Sequence, residues 1–134
     1  MGQQQLLLII LGVIVVGIAV AVGITMFADS AVTANRDAVT NDLVNLASRA
    51  QQYYRRPTAL GGGGNSFTGL TANAAGLAKL TSKASNANGR YTISVAGNAS
   101  SVTLSGIGYE VIGTDTVSVT MYVDSDSTYA TVVH

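Results

Sequence analysis

The feature that most constrains the fold is a long N-terminal stretch without helix breakers, whose first half is apolar and whose second half is amphipathic. No charged side chain occurs in residues 1–28, and the run from Leu6 to Ala28 is apolar except at Gly12, Gly17, Gly23 and Thr25. Charge returns at Asp29, yet no Pro occurs before Pro57 and no cluster of turn residues separates the two halves. The sequence therefore predicts one helix from about residue 3 to about residue 55, on the order of 75–80 Å long. A small domain cannot bury a helix of that length.

The second half of the predicted helix carries an apolar stripe. Its apolar positions recur at intervals of three, four and seven residues, which places them on one face: Ala28, Val32, Val39, Leu43, Leu46, Ala50 and Tyr53. Charged side chains fall mostly outside this stripe. We expect the part that packs against the rest of the fold to be Val39, Leu43, Leu46, Ala50 and Tyr53.

A loop follows the helix. Residues 57–70 contain four consecutive glycines, which favour a loop or hinge over a regular element. The segment lacks the Gly-Lys-Ser/Thr ending of a phosphate-binding loop. Residues 71–80 predict a short helix, with Thr71 as its N-cap and with Leu77 and Leu80 facing inward.

The last part of the chain alternates between apolar and small polar residues, which is typical of strands. Four such runs begin at Tyr91, Val102, Val117 and Thr128, and the predicted turns lie at Gly97-Asn98, from Gly106 to Gly113, and at Asp124-Ser125-Asp126. We predict a four-stranded antiparallel sheet with one apolar face under the helix stripe and one Ser/Thr-rich face in water. The fold class is α+β: a long N-terminal helix, apolar then amphipathic, packed on a small four-stranded antiparallel sheet.

The length of 134 residues suggests one domain. Along the chain we distinguish four segments: an apolar helix (1–28), its amphipathic continuation (29–56), a Gly-rich loop with a short helix (57–87), and the sheet (88–134).

Composition argues against several functions. The chain has no cysteine, which rules out disulfides, thiolate metal sites and cysteine nucleophiles. Seven basic and seven acidic side chains give no net charge, whereas nucleic-acid binding requires clustered Lys and Arg. The one histidine, His134, is terminal and has no second base for a Ser-His-Asp arrangement. We expect no enzyme, no cofactor, no metal site and no nucleic-acid partner.

Two short motifs remain as candidates. Asn98-Ala99-Ser100 is an N-glycosylation sequon in a predicted hairpin turn, although such triplets are frequent by chance. Asp124 and Asp126 could offer oxygen ligands to calcium, but the other ligands of a calcium loop are missing, so a polar turn is the simpler interpretation.

The apolar segment itself has more than one interpretation. Leu6–Ala28 spans roughly 35 Å as a helix, enough to cross a bilayer core of about 30 Å. A secretory signal is disfavoured because residues 1–5 carry no basic side chain and no cleavage site follows Phe27. A single-pass anchor and a segment that packs against copies of itself both stay open. The three glycines either allow close helix approach or are tolerated flexibility, since their spacing is not the four-residue repeat.

The apolar-then-amphipathic helix, the loop and the small sheet together resemble the type IV pilin-like family. The architecture is similar along the whole chain, and sequence similarity is confined to about residues 1–28. In that family a prepilin peptidase cuts after a Gly just before the apolar helix. Gly2 before Gln3-Gln4-Gln5 resembles such a site with a very short leader. The alternatives are that no cut occurs there, or that Met1 is itself the first residue after a removed leader.

The sequence departs from bacterial pilins, which usually place a glutamate five residues into the mature helix. Gln5 takes that place if Met1 is the mature start, and Leu7 does if the cut follows Gly2. Neither is charged, so the usual salt bridge to a neighbour's amine is absent, although a Gln amide can accept a hydrogen bond from an ammonium. The helix proline of bacterial pilins is also missing, and the Gln-rich start is similar to some archaeal pilins.

The resemblance implies the major subunit of an extracellular type IV pilus-like helical filament, a homopolymer with roles in adhesion and motility. It also implies a place in the cytoplasmic membrane before assembly, a prepilin peptidase and a pilus assembly machinery. With Gln5 as a polar contact, the expected filament-core residues are Leu6, Leu7, Leu8, Ile10, Gly12, Ile14, Gly17, Val20, Gly23 and Phe27. The alternatives are a membrane-anchored binding module and a minor pseudopilin of a secretion or uptake system.

Overall fold

The computed structural model describes residues 2–134 and shows a long helix packed on a four-stranded antiparallel sheet, the α+β arrangement predicted from the sequence. The helical elements are α1 (Gly2–Arg55), a 3-10 turn (Thr58–Leu60) and α2 (Ala74–Ala78). The strands are β1 (Gly89–Val95), β2 (Ser101–Ile112), β3 (Asp115–Asp124) and β4 (Thr128–Val132). Met1, one of the predicted mature starts, lies outside the described residues.

Helix α1 runs without a break through the change from apolar to amphipathic sequence. Its 54 residues give a length of about 80 Å. Its buried residues all lie in the second half: Val39, Leu43, Leu46, Ala47, Ala50 and Tyr53. The predicted apolar stripe is therefore buried from Val39 to Tyr53, whereas Ala28 is exposed and Val32 is half-buried.

The sheet is a meander in the order β1-β2-β3-β4, and each pair of neighbours is antiparallel. Helix α1 crosses its inner face over β2 and β3. The apolar residues that alternate along these two strands are buried beneath the helix: Val102, Leu104, Val117, Val119, Met121 and Val123. Strand β4 lies at the edge, and all five of its residues are exposed.

The predicted turn from Gly106 to Gly113 is too long, because only its last residue, Gly113, belongs to the turn. Strand β2 continues to Ile112 and pairs with β3 on both sides of a register irregularity. A Cβ on Gly106 would collide with the side chain of Val39, and one on Gly108 with that of Asn35. These positions are glycine because α1 approaches the strand closely, and not because the chain turns there. The actual turn lies between β2 and β3, where Gly113 has a φ of 63°.

The four-glycine loop is tied to the end of α1. The N–H of Gly63 donates to the carbonyl oxygen of Tyr53 at 2.8 Å, and the N–H of Asn65 donates to that of Tyr54 at 2.7 Å. These bonds satisfy carbonyl groups that the last turn of a helix leaves unpaired. Gly61 has a φ of 77°, a conformation that glycine adopts without strain.

The predicted N-cap Thr71 is also wrong, because Asn73 caps α2. The Oδ1 atom of Asn73 accepts a hydrogen bond from the N–H of Gly76 at 2.9 Å. The hydroxyl of Thr71 donates to the same Oδ1 at 2.8 Å, so it supports the cap from outside the helix. Leu77 and Leu80 are buried, as expected.

Phe67 anchors the irregular segment between α1 and α2. It is fully buried, and its ring centroid lies 4.8 Å from that of Tyr54. Its N–H donates to the carbonyl oxygen of Asn98 at 2.9 Å, which ties the segment to the connection between β1 and β2. A single aromatic residue in a loop has no periodicity, so the sequence alone does not indicate that Phe67 is buried.

Replacing Phe67 by Ala should lower the free energy of unfolding by about 3–5 kcal/mol, because it leaves a cavity in the core. Chemical denaturation of residues 29–134 measures this, since every buried side chain lies in that range. The matched control is Leu60→Ala, because Leu60 is 71 % exposed and should contribute little. Equal losses in both variants would contradict the placement of Phe67 in the core.

Candidate functional site

The candidate site is the apolar surface of the first half of α1. Every described side chain from Gly2 to Ser30 is exposed. This includes Gln5 and all of the predicted filament-core residues: Leu6, Leu7, Leu8, Ile10, Gly12, Ile14, Gly17, Val20, Gly23 and Phe27. The exposed fraction reaches 81 % at Phe27. Contiguous apolar surface on this scale marks a contact with a membrane or with protein.

The same segment is suited to a bilayer. Helix α1 is long and apolar enough to cross a membrane, and none of its apolar window is buried by the rest of residues 2–134. The hydroxyl of Thr25 donates to the carbonyl oxygens of Ala21 at 2.9 Å and Val22 at 3.0 Å. Its hydrogen bonding is thus satisfied within the helix, as a polar group in lipid requires. The segment can therefore anchor the chain in a membrane.

The three glycines of the segment make no contact that explains them within the chain. A Cβ at Gly12, Gly17 or Gly23 would meet no atom within 4 Å. At about 100° per residue, Gly12 and Gly23 lie within about 20° of each other, three turns apart, and Gly17 lies about 140° away. One partner helix on one face cannot reach all three, whereas several surrounding helices can.

The predicted helix-to-sheet residues lie at the other end of α1. All of them belong to the buried core shared with β2 and β3: Val39, Leu43, Leu46, Ala50 and Tyr53. The helix that carries the apolar surface is therefore the same helix that forms the core of the domain. No Gly or Pro occurs between Gly23 and Pro57, so the junction has no sequence-encoded hinge.

A polar cluster that the sequence does not predict holds α1 to the domain near this junction. The Oδ2 atom of Asp42 accepts hydrogen bonds from Asn86 Nδ2 at 2.8 Å, from Asn88 Nδ2 at 2.9 Å and from the hydroxyl of Tyr91. Asn35 Nδ2 also donates to the carbonyl oxygen of Asn88 at 2.8 Å. These bonds join α1 to the start of β1 across more than 40 residues, a separation at which sequence spacing gives no signal.

The cluster shifts the pKa values of its two acidic groups. Burial raises the pKa of the Asp42 carboxyl, but the hydrogen bonds from Tyr91, Asn88 and Asn86 together outweigh it and leave the pKa below its usual value. Burial, followed by the bond to the Asp42 carboxylate, raises the pKa of the Tyr91 hydroxyl. The ionised carboxylate thus serves as a fixed acceptor, which is a structural role.

Asp42→Asn should lower the free energy of unfolding of residues 29–134 by about 1–2 kcal/mol at pH 7. Because the folded pKa is below the unfolded value of about 3.9, the contribution is complete above that pH and is lost as pH falls through the folded pKa. The difference between wild type and variant should therefore shrink below about pH 4. Thermal unfolding followed by circular dichroism measures it.

The control for this variant is Asp126→Asn, at an exposed position, which should change stability by less than about 0.5 kcal/mol. A wild-type advantage that grows toward low pH would contradict the assigned role of Asp42.

The remaining sequence candidates lie apart from the apolar surface. Asn98 is exposed in the connection between β1 and β2, where its Oδ1 accepts the N–H groups of Ser100 and Ser101, each at 2.8 Å. Asp124 Oδ1 accepts the N–H of Ser125 at 2.6 Å. Among residues 2–134 no group of three His, Cys, Asp or Glu side chains is placed to hold a metal ion.

Comparisons with known proteins add no relative: no family model matches the chain, no curated protein matches its sequence, and no solved structure matches its fold. A functional conclusion must therefore start from the geometry of the exposed apolar helix and the domain attached to it.

Proposed function

We propose that this chain is the structural subunit of an extracellular, type IV pilus-like helical filament, and that it polymerises through the apolar half of α1. The observation that carries the proposal is a folded domain with its own core, joined without a hinge to roughly 35 Å of fully exposed apolar helix. The required partners are further copies of the chain, the cytoplasmic membrane before assembly, a prepilin peptidase and an assembly machinery.

The energetics of the apolar half favour close packing in the filament. Moving this surface from lipid into a bundle of identical helices exchanges one apolar environment for another, so the hydrophobic effect contributes little. Van der Waals contact between closely approaching backbones must then hold the core together. Gly12, Gly17 and Gly23 support this, because they leave room on more than one face of the helix and a Cβ there would meet no other part of the chain.

The rigid junction also favours a polymer over a simple anchor. A regular helical assembly needs every domain at the same angle to its core segment, and the continuous α1 fixes that angle. A membrane-anchored binding module has no need of this rigidity. A minor pseudopilin would share these contacts and would differ in abundance.

Deleting residues 1–28 should give a soluble, monomeric and folded protein, whereas the full-length chain should form fibres. The reason is that every buried side chain lies at or after Val39, while the assembly surface lies before Asp29. Analytical ultracentrifugation and negative-stain electron microscopy of the two proteins measure this, with circular dichroism as the control for folding.

Two results would contradict the proposal. One is a full-length protein that remains a dispersed, detergent-bound monomer under all assembly conditions. The other is a truncated chain that still polymerises with the same helical symmetry.

A further inference from the structure

Two unpaired charged patches of opposite sign lie on α1 and beside its end. The acidic patch consists of Asp29 and Asp37, which border a shallow hollow of about 500 Å³ together with Met26, Ser30, Thr33 and Ala34. Arg36 lies between the two aspartates in sequence, but its Nε is buried and has no hydrogen-bond partner. Both aspartates are exposed, and no basic side chain lines their hollow.

The basic patch consists of Arg49, Arg56 and Lys79. These side chains border a hollow of about 230 Å³, and no carboxylate lines it. Arg49 Nη1 donates to the carbonyl oxygen of Leu80 at 3.1 Å, and Lys79 Nζ donates to that of Gly69 at 2.7 Å. No basic side chain lines the acidic hollow, and no acidic side chain lines the basic one. Both patches therefore keep their charge available for a partner.

One copy of the chain cannot pair these patches with each other. Arg56 directly follows the last residue of α1, so it lies about 28 Å from Asp37 along the helix axis. At about 100° per residue, the two patches also lie roughly 100–180° apart around the helix. The sheet packs on the face between them, which is marked by Val39 and Leu43. The patches thus flank the domain on opposite sides and at different heights.

This placement determines the kind of contact that the patches can make between copies. In a two-fold symmetric pair both copies use the same surface. Because the two patches lie on opposite sides of the domain, that surface would contain only one of them and would bring like charges together, which is unfavourable. A head-to-tail contact brings opposite charges together, and a contact between different surfaces with an axial offset generates an open helix instead of a closed pair. The charge pattern therefore selects a second copy of this chain, in the same orientation, as the complementary partner.

We infer that the acidic patch of one copy docks against the basic patch of the next copy, with an axial offset on the order of 25–30 Å between them. This inference rests on the proposed filament. The charged contact sets the register and direction of the assembly, whereas the apolar halves of α1 supply its cohesion. Exposed ion pairs contribute little strength and are screened by salt, but charge complementarity discriminates strongly between correct and incorrect partners.

Charge reversal in the full-length chain tests the inference. Asp37→Lys alone and Arg56→Glu alone should each reduce filament yield by about tenfold at low ionic strength, because each places like charges in the contact. Mixing the two single variants should restore the yield. In such a mixture the two substituted side chains face each other in one contact, and the native Asp37 and Arg56 face each other in the next.

The matched controls for charge reversal are Asp126→Lys and Arg90→Glu. Both change exposed charges that lie outside the two patches, so both variants should assemble as wild type.

Cross-linking gives a second, independent measurement. The chain has no natural cysteine, so a variant with both Asp37→Cys and Arg56→Cys carries only the two test thiols. A short bismaleimide cannot span about 28 Å within one chain. In assembled filaments it should instead produce a ladder of dimers, trimers and higher multimers on a denaturing gel. A variant with Arg90→Cys and Asp126→Cys should not give this ladder.

Suppose that the wild type forms filaments but the single-reversal variants assemble equally well, or that the cross-linked ladder is absent. Either result would overturn the charged contact and leave the proposed function standing. Reversal variants that fail both alone and when mixed, while the controls assemble, would also overturn it. Absence of wild-type filaments would overturn the proposed function and this inference together.

Discussion

The contact between the second half of α1 and the middle strands of the sheet sets the geometry of the whole molecule. Val39 and Leu43 are fully buried against β2 and β3, and Gly106 and Gly108 have no Cβ that would collide with Val39 and Asn35. Because the helix is continuous, this one contact also fixes the direction in which the apolar half leaves the domain. The four-glycine loop, bonded to the end of α1, and the hydrogen bonds of Asp42 to residues at the start of β1 also hold the helix against the domain.

This contact separates the part of the helix that folds the domain from the part that we propose for assembly. The core is complete without residues 1–28, so the apolar half is not needed to stabilise the domain. An exposed apolar surface of that size must nevertheless be covered, by lipid or by protein. Because the apolar half of α1 is not part of the domain core, it can move from lipid into contact with protein without unfolding the domain. The proposed assembly from a membrane requires such a move.

The sequence predicted those features that depend on local periodicity. The continuous helix follows from apolar spacing and the absence of Pro, and the four strands follow from alternation. The errors share a physical cause, which is contact between residues distant in sequence. Gly106 was interpreted as part of a turn because the helix residue that crowds it, Val39, lies far earlier in the chain. The roles of Asp42, of Phe67 and of the acidic and basic patches likewise depend on contacts that form only in the folded chain.

Cryo-electron microscopy of the assembled filament tests the central claim most directly. The account predicts a lipid-free core in which the apolar halves of α1 from different copies pack with axes about 8–10 Å apart. A reconstruction in which those halves are separated from one another, each surrounded by phospholipid, would contradict it.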